Sequence, residues 1–165
     1  MRYPNVGRIR TLDTHGPWNT KSGGTLMVRT YIPLETVLKE YFSYNSNELQ
    51  KVPGDIRGLR FYTVRNLPLG QIGGTEFHRI REEMVIGLEG KVRWECEDVY
   101  RNKTEFILTQ ENGIWMPPFI LHTYEVLENN SGLFVVANTL FVPDDPRTHD
   151  TFSADKFREL QKAVR

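Results

Sequence analysis

The chain has 165 residues, long enough for one domain with a real core. Its hydrophobic fraction of 39% and charged fraction of 25% are those of an ordinary globular protein. Twenty-one basic residues balance twenty-one acidic ones, so there is no polyanion footprint and nucleic acid is not an expected partner.

The first 25 residues are rich in Gly, Pro, Asn and Thr, with turn signals at Gly16-Pro17-Trp18-Asn19 and Gly23-Gly24. They read as an irregular arm with one or two short strands, such as 25–32, and Trp18 is expected to plug a core edge. No apolar export signal and no membrane-length run is present, so no membrane partner is expected. From Pro33 to Phe42 the spacing of Leu34, Val37, Leu38 and Tyr41 predicts a helix, with Pro33 suited to its first turn. Residues 1–55 thus form an arm and helix.

From Ile56 the pattern changes to short strands at close intervals, predicted at 60–64, 75–78 and 84–88. Lys91-Val92-Arg93-Trp94-Glu95-Cys96-Glu97 alternates polar and apolar without a fault, which marks a half-buried strand. It turns Cys96 inward as an inert thiol; as the single cysteine it cannot form an internal disulfide, and a cytoplasmic setting is expected. Further strands follow at 106–109, 113–116, 122–127 and 133–141, with turns at Glu111-Asn112-Gly113 and Asn129-Asn130-Ser131-Gly132. Many short antiparallel strands argue for an all-β sandwich or small barrel over 56–152, and a jelly roll is expected. Residues 153–165 read as a terminal helix, with Ser153 as N-cap and Phe152 and Phe157 at staple positions.

Glu76 and His78 stand two apart, so on a strand both side chains leave one face. Glu83 follows after four residues and Gly90 after six more; a second segment, Gly113 to His122, runs from a turn through an apolar stretch to a lone histidine. Polar groups inside a small barrel need partners or a task. Two readings stay open: Glu76, His78, Glu83 and His122 bind one transition metal, or they act as acid and base on an organic substrate. Arg79 and Arg81 are expected to face solvent, and Glu82 competes with Glu83 for the inward place.

This two-part layout resembles the RmlC-like cupin superfamily, whose first motif runs Gly, His-x-His, Glu or Gln, Gly, and whose second is a Gly/Pro turn leading to one His. The resemblance implies a cupin-type jelly-roll β-barrel with flanking N- and C-terminal helices, and a homodimer. Leu59-Arg60-Phe61-Tyr62-Thr63-Val64 with Gly73-Gly74-Thr75-Glu76-Phe77-His78 is similar to the WxcM-like, dTDP-4-keto-6-deoxyhexose 3,4-ketoisomerase family. Arg57-Gly58-Leu59 and Met116-Pro117-Pro118 resemble the related 3,5-epimerases, at a spacing that fits less well. The chain departs from the ketoisomerase pattern in carrying Glu76 for its first His and Gly73 for its Arg.

The resemblance implies an isomerase-like enzyme of surface-polysaccharide synthesis, without cofactor, acting beside the ketone of a dTDP-linked 4-keto-6-deoxyhexose. Glu76 or His78 would take the proton, and Tyr62 and His122 would orient or protonate the enediol. Arg60 or Arg65 would hold phosphate, with Glu83 also at the substrate. The alternatives are a mononuclear metal cupin, such as a dioxygenase, that needs one divalent transition metal, and a ligand-binding cupin without chemistry.

Overall fold

A computed structural model describes residues 3–36 and 54–164. In the arm, β1 (Arg10–Asp13), β2 (His15–Asn19) and β3 (Thr25–Val28) are followed by one helical turn, α1 (Leu34–Thr36). The rest of the helix expected over 33–42 lies outside the described residues. The strands β4 (Arg57–Leu67), β5 (Ile72–Phe77), β6 (Glu83–Glu89), β7 (Val92–Glu97) and β8 (Lys103–Leu108) come next. Then follow β9 (Asn112–Met116), β10 (Leu121–Val126), β11 (Ser131–Thr139), β12 (Phe152–Ser153) and α2 (Ala154–Ala163).

Two five-stranded antiparallel sheets form, in the orders β1-β9-β6-β11-β4 and β12-β5-β10-β7-β8, while β2 and β3 pair apart. Alternation along the strands explains how they meet. Val85, Ile114, Met116, Leu133 and Val135 from the first sheet pack with Val92, Trp94, Cys96 and Leu108 from the second in one buried cluster. This is a cupin-like, mostly β fold. Burial pushes the Cys96 thiol up to about 12, so it is the inert core group expected.

The strand reading holds with shifted ends, because pairing extends elements beyond the residues whose periodicity is visible. The expected 60–64 strand is eleven residues long, since β11 pairs with it from Leu67 back to Arg57. Trp18 is 47% exposed on β2 and plugs no core edge. Ser153 is the N-cap of α2 but makes no side-chain capping bond; Phe157 instead anchors the helix, fully buried against Phe77 with ring centroids 5.1 Å apart.

The motif's last glycine has a geometric reason. Gly90 turns with φ +63°, and a Cβ there would stand 2.3 Å from Ser131 Oγ. That hydroxyl accepts from Lys91 N and ties the β6–β7 turn to the Glu128 carbonyl.

Candidate active site between the sheets

Glu76 and His122 are direct cross-strand partners on β5 and β10. His78 follows one residue after β5 ends, and its ring lies 5.2 Å from that of His122. The approach of the half-exposed Glu76 to His78 depends on a bulge: pairing slips between His122 and Thr123, which leaves Thr75 as the extra residue, at φ +63°. A β-branched residue in that region is strained, and the strain sits next to the carboxylate it aims.

The structure brings the sequence-predicted residues together, with one exception. His78 Nε2 is buried, 3.5 Å from Glu83 Oε2 and 3.9 Å from Glu76 Oε1. Glu83 opens β6 on the opposite sheet and accepts a 2.9 Å bond from the Tyr62 hydroxyl of β4. Arg60, two residues before Tyr62, lies over the Tyr62 ring at 5.2 Å and over Phe141 at 5.6 Å. Arg65 is the exception. It stands five residues further along β4 on the solvent side, ion-paired with Glu89 at the far end of β6. At about 3.3 Å per residue the strand carries it some ~17 Å from Arg60.

Two expectations about the loop between β5 and β6 are corrected. Arg81 is buried, not solvent-facing: its Nη2 stands 2.6 Å from His78 Nδ1 and donates to Thr151 Oγ1, and its Nη1 lies 3.3 Å from Glu83 Oε1. Strand alternation does not apply there, because the chain leaves the sheet after Phe77 and re-enters at Glu83. Glu83 takes the inward place, and Glu82 is buried as well, its N–H bonded to Asn138 Oδ1. Arg79 is exposed over the Phe152 ring, as expected.

Three groups escaped the sequence reading. The Asp150 carboxylate accepts from the backbone N–H groups of Arg79, Ile80 and Arg81 at 2.9, 2.9 and 2.7 Å, a nest that fixes the loop carrying Arg81. Trp94 stacks on His122 at 5.2 Å and on Tyr124 at 5.7 Å, both within 13° of parallel. Tyr124 lies over Gly73, where a Cβ would meet its hydroxyl at 2.3 Å. The missing side chain at Gly73 was the one available signal, since it leaves room for a cross-strand ring.

Electrostatics separate these groups. Burial raises Glu83, but the hydrogen bond and charge of His78 and the charges of Arg81 and His122 outweigh it and hold the carboxyl well below the usual range. Burial, with the charge of His78 behind it, lowers His122 to about 4, so its ring is neutral at pH 7. The ring Nδ1 lies 3.3 Å from the Ile120 carbonyl, the geometry of a donor, which leaves Nε2 bare. Burial and the Glu83 charge push the Tyr62 phenol far up, so it remains a neutral donor. Burial and Glu76 also raise Tyr124.

The donor set fits a divalent metal as well. One ligand atom each from Glu76, His78 and His122 lie within 4.8 Å of one another, a two-imidazole, one-carboxylate group. Glu83 stands outside that trio and is engaged by Tyr62 and Arg81.

No curated protein matches the chain. Among solved structures, it is similar to a variant of the 3,4-ketoisomerase QdtA from Thermoanaerobacterium thermosaccharolyticum in complex with TDP-4-keto-6-deoxyglucose, at TM-score 0.64 and 16% identity, over 96% of both chains. It is also similar to WlaRA, a TDP-fucose-3,4-ketoisomerase from Campylobacter jejuni, at TM-score 0.63 and 19% identity, over 95% of this chain and 98% of the other. A dTDP-4-dehydrorhamnose 3,5-epimerase from Bacillus anthracis gives TM-score 0.58 at 13% identity, over 86% of this chain and 78% of the other. These likenesses establish a shared fold. A family model described as FdtA: WxcM-like, C-terminal matches residues 36–156, most of the chain, and the chain belongs to that family.

Proposed function

We propose that this chain is a nucleotide-sugar isomerase, moving a proton beside the ketone of a dTDP-linked 4-keto-6-deoxyhexose. The observation that carries the reading is the clustering of two buried imidazoles, His78 and His122, with the half-exposed carboxylate of Glu76. A ketone shifts to its neighbouring carbon when one group takes the α-proton and another protonates the oxygen; both sites are then reprotonated in the opposite sense. The cluster holds enough acid and base for this, with Tyr62 and Arg81 keeping Glu83 in place and Arg60 at its edge for a phosphate. Membership of the family and the named activities of its fold relatives support this choice of substrate.

The cupin-type jelly-roll barrel, a cytoplasmic setting and a place in surface-polysaccharide synthesis belong to the same proposal. So does a homodimer, in which a second copy covers Phe61, 60% exposed and stacked on Phe134 on the outer face of the first sheet.

The test is proton NMR of TDP-4-keto-6-deoxyglucose incubated with the protein in deuterated water. Deuterium entering the carbons beside the ketone, together with a new keto-sugar product, is the expected result. An unexchanged, unchanged sugar would refute the isomerase reading.

A second reading rests on the clustering of Glu76, His78 and His122 ligand atoms. Those residues would hold one divalent transition metal, and the metal would supply Lewis-acid polarisation of a bound oxygen. Metal analysis of chelator-free protein tests it; about one equivalent, lost on Glu76→Ala and on His122→Ala, is the outcome it requires.

A further inference from the structure

We propose that the groove on the outer face of the second sheet, beside α2, is a second ligand site, that it takes an uncharged saccharide, and that its occupancy is felt at Glu76 and His122 on the inner side of the same strands. The groove has a volume of about 460 Å³, within the ~300–1,000 Å³ of small-molecule pockets. Its lining comes from β5, β7, β8, β10 and α2, and includes none of the four residues of the candidate active site.

A period of two explains why this face is polar. Trp94 and Cys96 point into the core from β7, so Glu95 and Glu97 leave on the opposite side; Thr123 likewise points away from His122 on β10. One wall is already built. Glu97, 8% exposed, accepts from Arg158 Nη2 at 2.9 Å and from Gln161 Nε2 at 2.8 Å, which fixes α2 against β7. Those groups satisfy one another. Glu95 and Glu105 are direct partners across β7 and β8, both exposed, and two carboxylates facing each other are unfavourable without a donor between them. The exposed Lys103 ends 3.8 Å from Glu97. Thr123 Oγ1 donates to Thr75 Oγ1 at 3.2 Å, which leaves the Thr75 hydroxyl its own proton to give.

The remaining groups set the ligand's chemistry. A carboxylate only accepts, an ammonium only donates, and a hydroxyl does both. A row of hydroxyls therefore meets Glu95, Glu105, Lys103 and Thr75 together, which a lone cation or a lone anion does not. With Glu97 and Arg158 cancelling, two carboxylates against one lysine leave the groove one charge negative, which disfavours a phosphate. Leu121 and Ala154 supply apolar surface for the C–H face of a sugar ring.

The floor of the groove is the bulge. Thr75 immediately precedes Glu76, Thr123 immediately follows His122, and the register slips between His122 and Thr123 with Thr75 left-handed at φ +63°. A bulged residue is unpaired, so it shifts without costing ladder hydrogen bonds. A ligand that binds the Thr75 hydroxyl pulls on the backbone that aims Glu76 at His78, and by linkage a ligand on the inner side changes affinity in the groove equally.

Proton–nitrogen NMR of the full ¹⁵N-labelled chain, titrated separately with maltose, glucosamine and glucose 6-phosphate, tests site, class and coupling without turnover. Maltose is expected to move the amide signals of Thr75, Glu95, Glu105 and Thr123 saturably, and those of Glu76 and His122 with the same Kd. Glu95→Ala and Glu105→Ala, at exposed positions outside the core, should each weaken maltose binding about tenfold or more, the worth of one hydrogen bond to a charged group. No saturable shift with maltose, or shifts that survive both substitutions, would overturn the site. Tighter binding of glucose 6-phosphate or of glucosamine than of maltose would overturn the uncharged class. Saturable shifts in the groove that leave Glu76 and His122 unmoved would overturn the coupling.

Discussion

The loop that carries Arg81 hangs on one side chain, and Asp150→Ala tests how much depends on it. Its carboxylate accepts three consecutive backbone N–H bonds, at 2.9, 2.9 and 2.7 Å, and the residue is only 7% exposed. Each hydrogen bond to a charged group contributes about 1.5–3 kcal/mol, and three on one carboxylate are not additive. The methyl group of alanine leaves one buried and two partly buried donors without their acceptor, so the loss is expected at about 2–4 kcal/mol, a large part of the ~5–15 kcal/mol of a typical domain. Asparagine keeps one acceptor oxygen but turns an NH₂ toward the donors; Asp150→Asn should cost about half as much. Urea denaturation followed by tryptophan fluorescence measures both. A loss below about 1 kcal/mol for Asp150→Ala would refute the nest as the loop's anchor.

Gly73→Ala puts a methyl 2.3 Å from the Tyr124 ring, which is held from behind by Trp94 at 5.7 Å. It should cost about 1–3 kcal/mol by overpacking and alter near-ultraviolet dichroism; an unchanged spectrum would deny the close approach. The His122 ring falls to about 4 in the fold from an ordinary 6.5, so the unfolded chain binds more protons between those values. Stability is then whole above pH 6.5 and falls by about 3 kcal/mol as pH drops to 4, a slope that His122→Gln should remove in urea titrations at stepped pH. Thr75→Gly relieves a left-handed β-branched residue at φ +63° and adds chain entropy to the unfolded state. The net gain is expected at about 0.5–1 kcal/mol, and a loss above about 1 kcal/mol would show the backbone there to be relaxed.

What the sequence made legible is what repeats locally. Val92, Trp94 and Cys96 alternate inward as their pattern requires, and the Glu76–His78 spacing places both groups at one cluster. Strand ends were less legible because they are set by partners: Arg57 to Leu59 join β4 only through pairing with β11. Arg81 was misplaced for the same reason in reverse, since a period of two was extended through five residues that belong to no strand. Asp150 lies seventy residues from the N–H groups it holds, and no local pattern announces such a bond. The candidate-site residues that could be found were those with a spacing; those that orient them are distant in the chain.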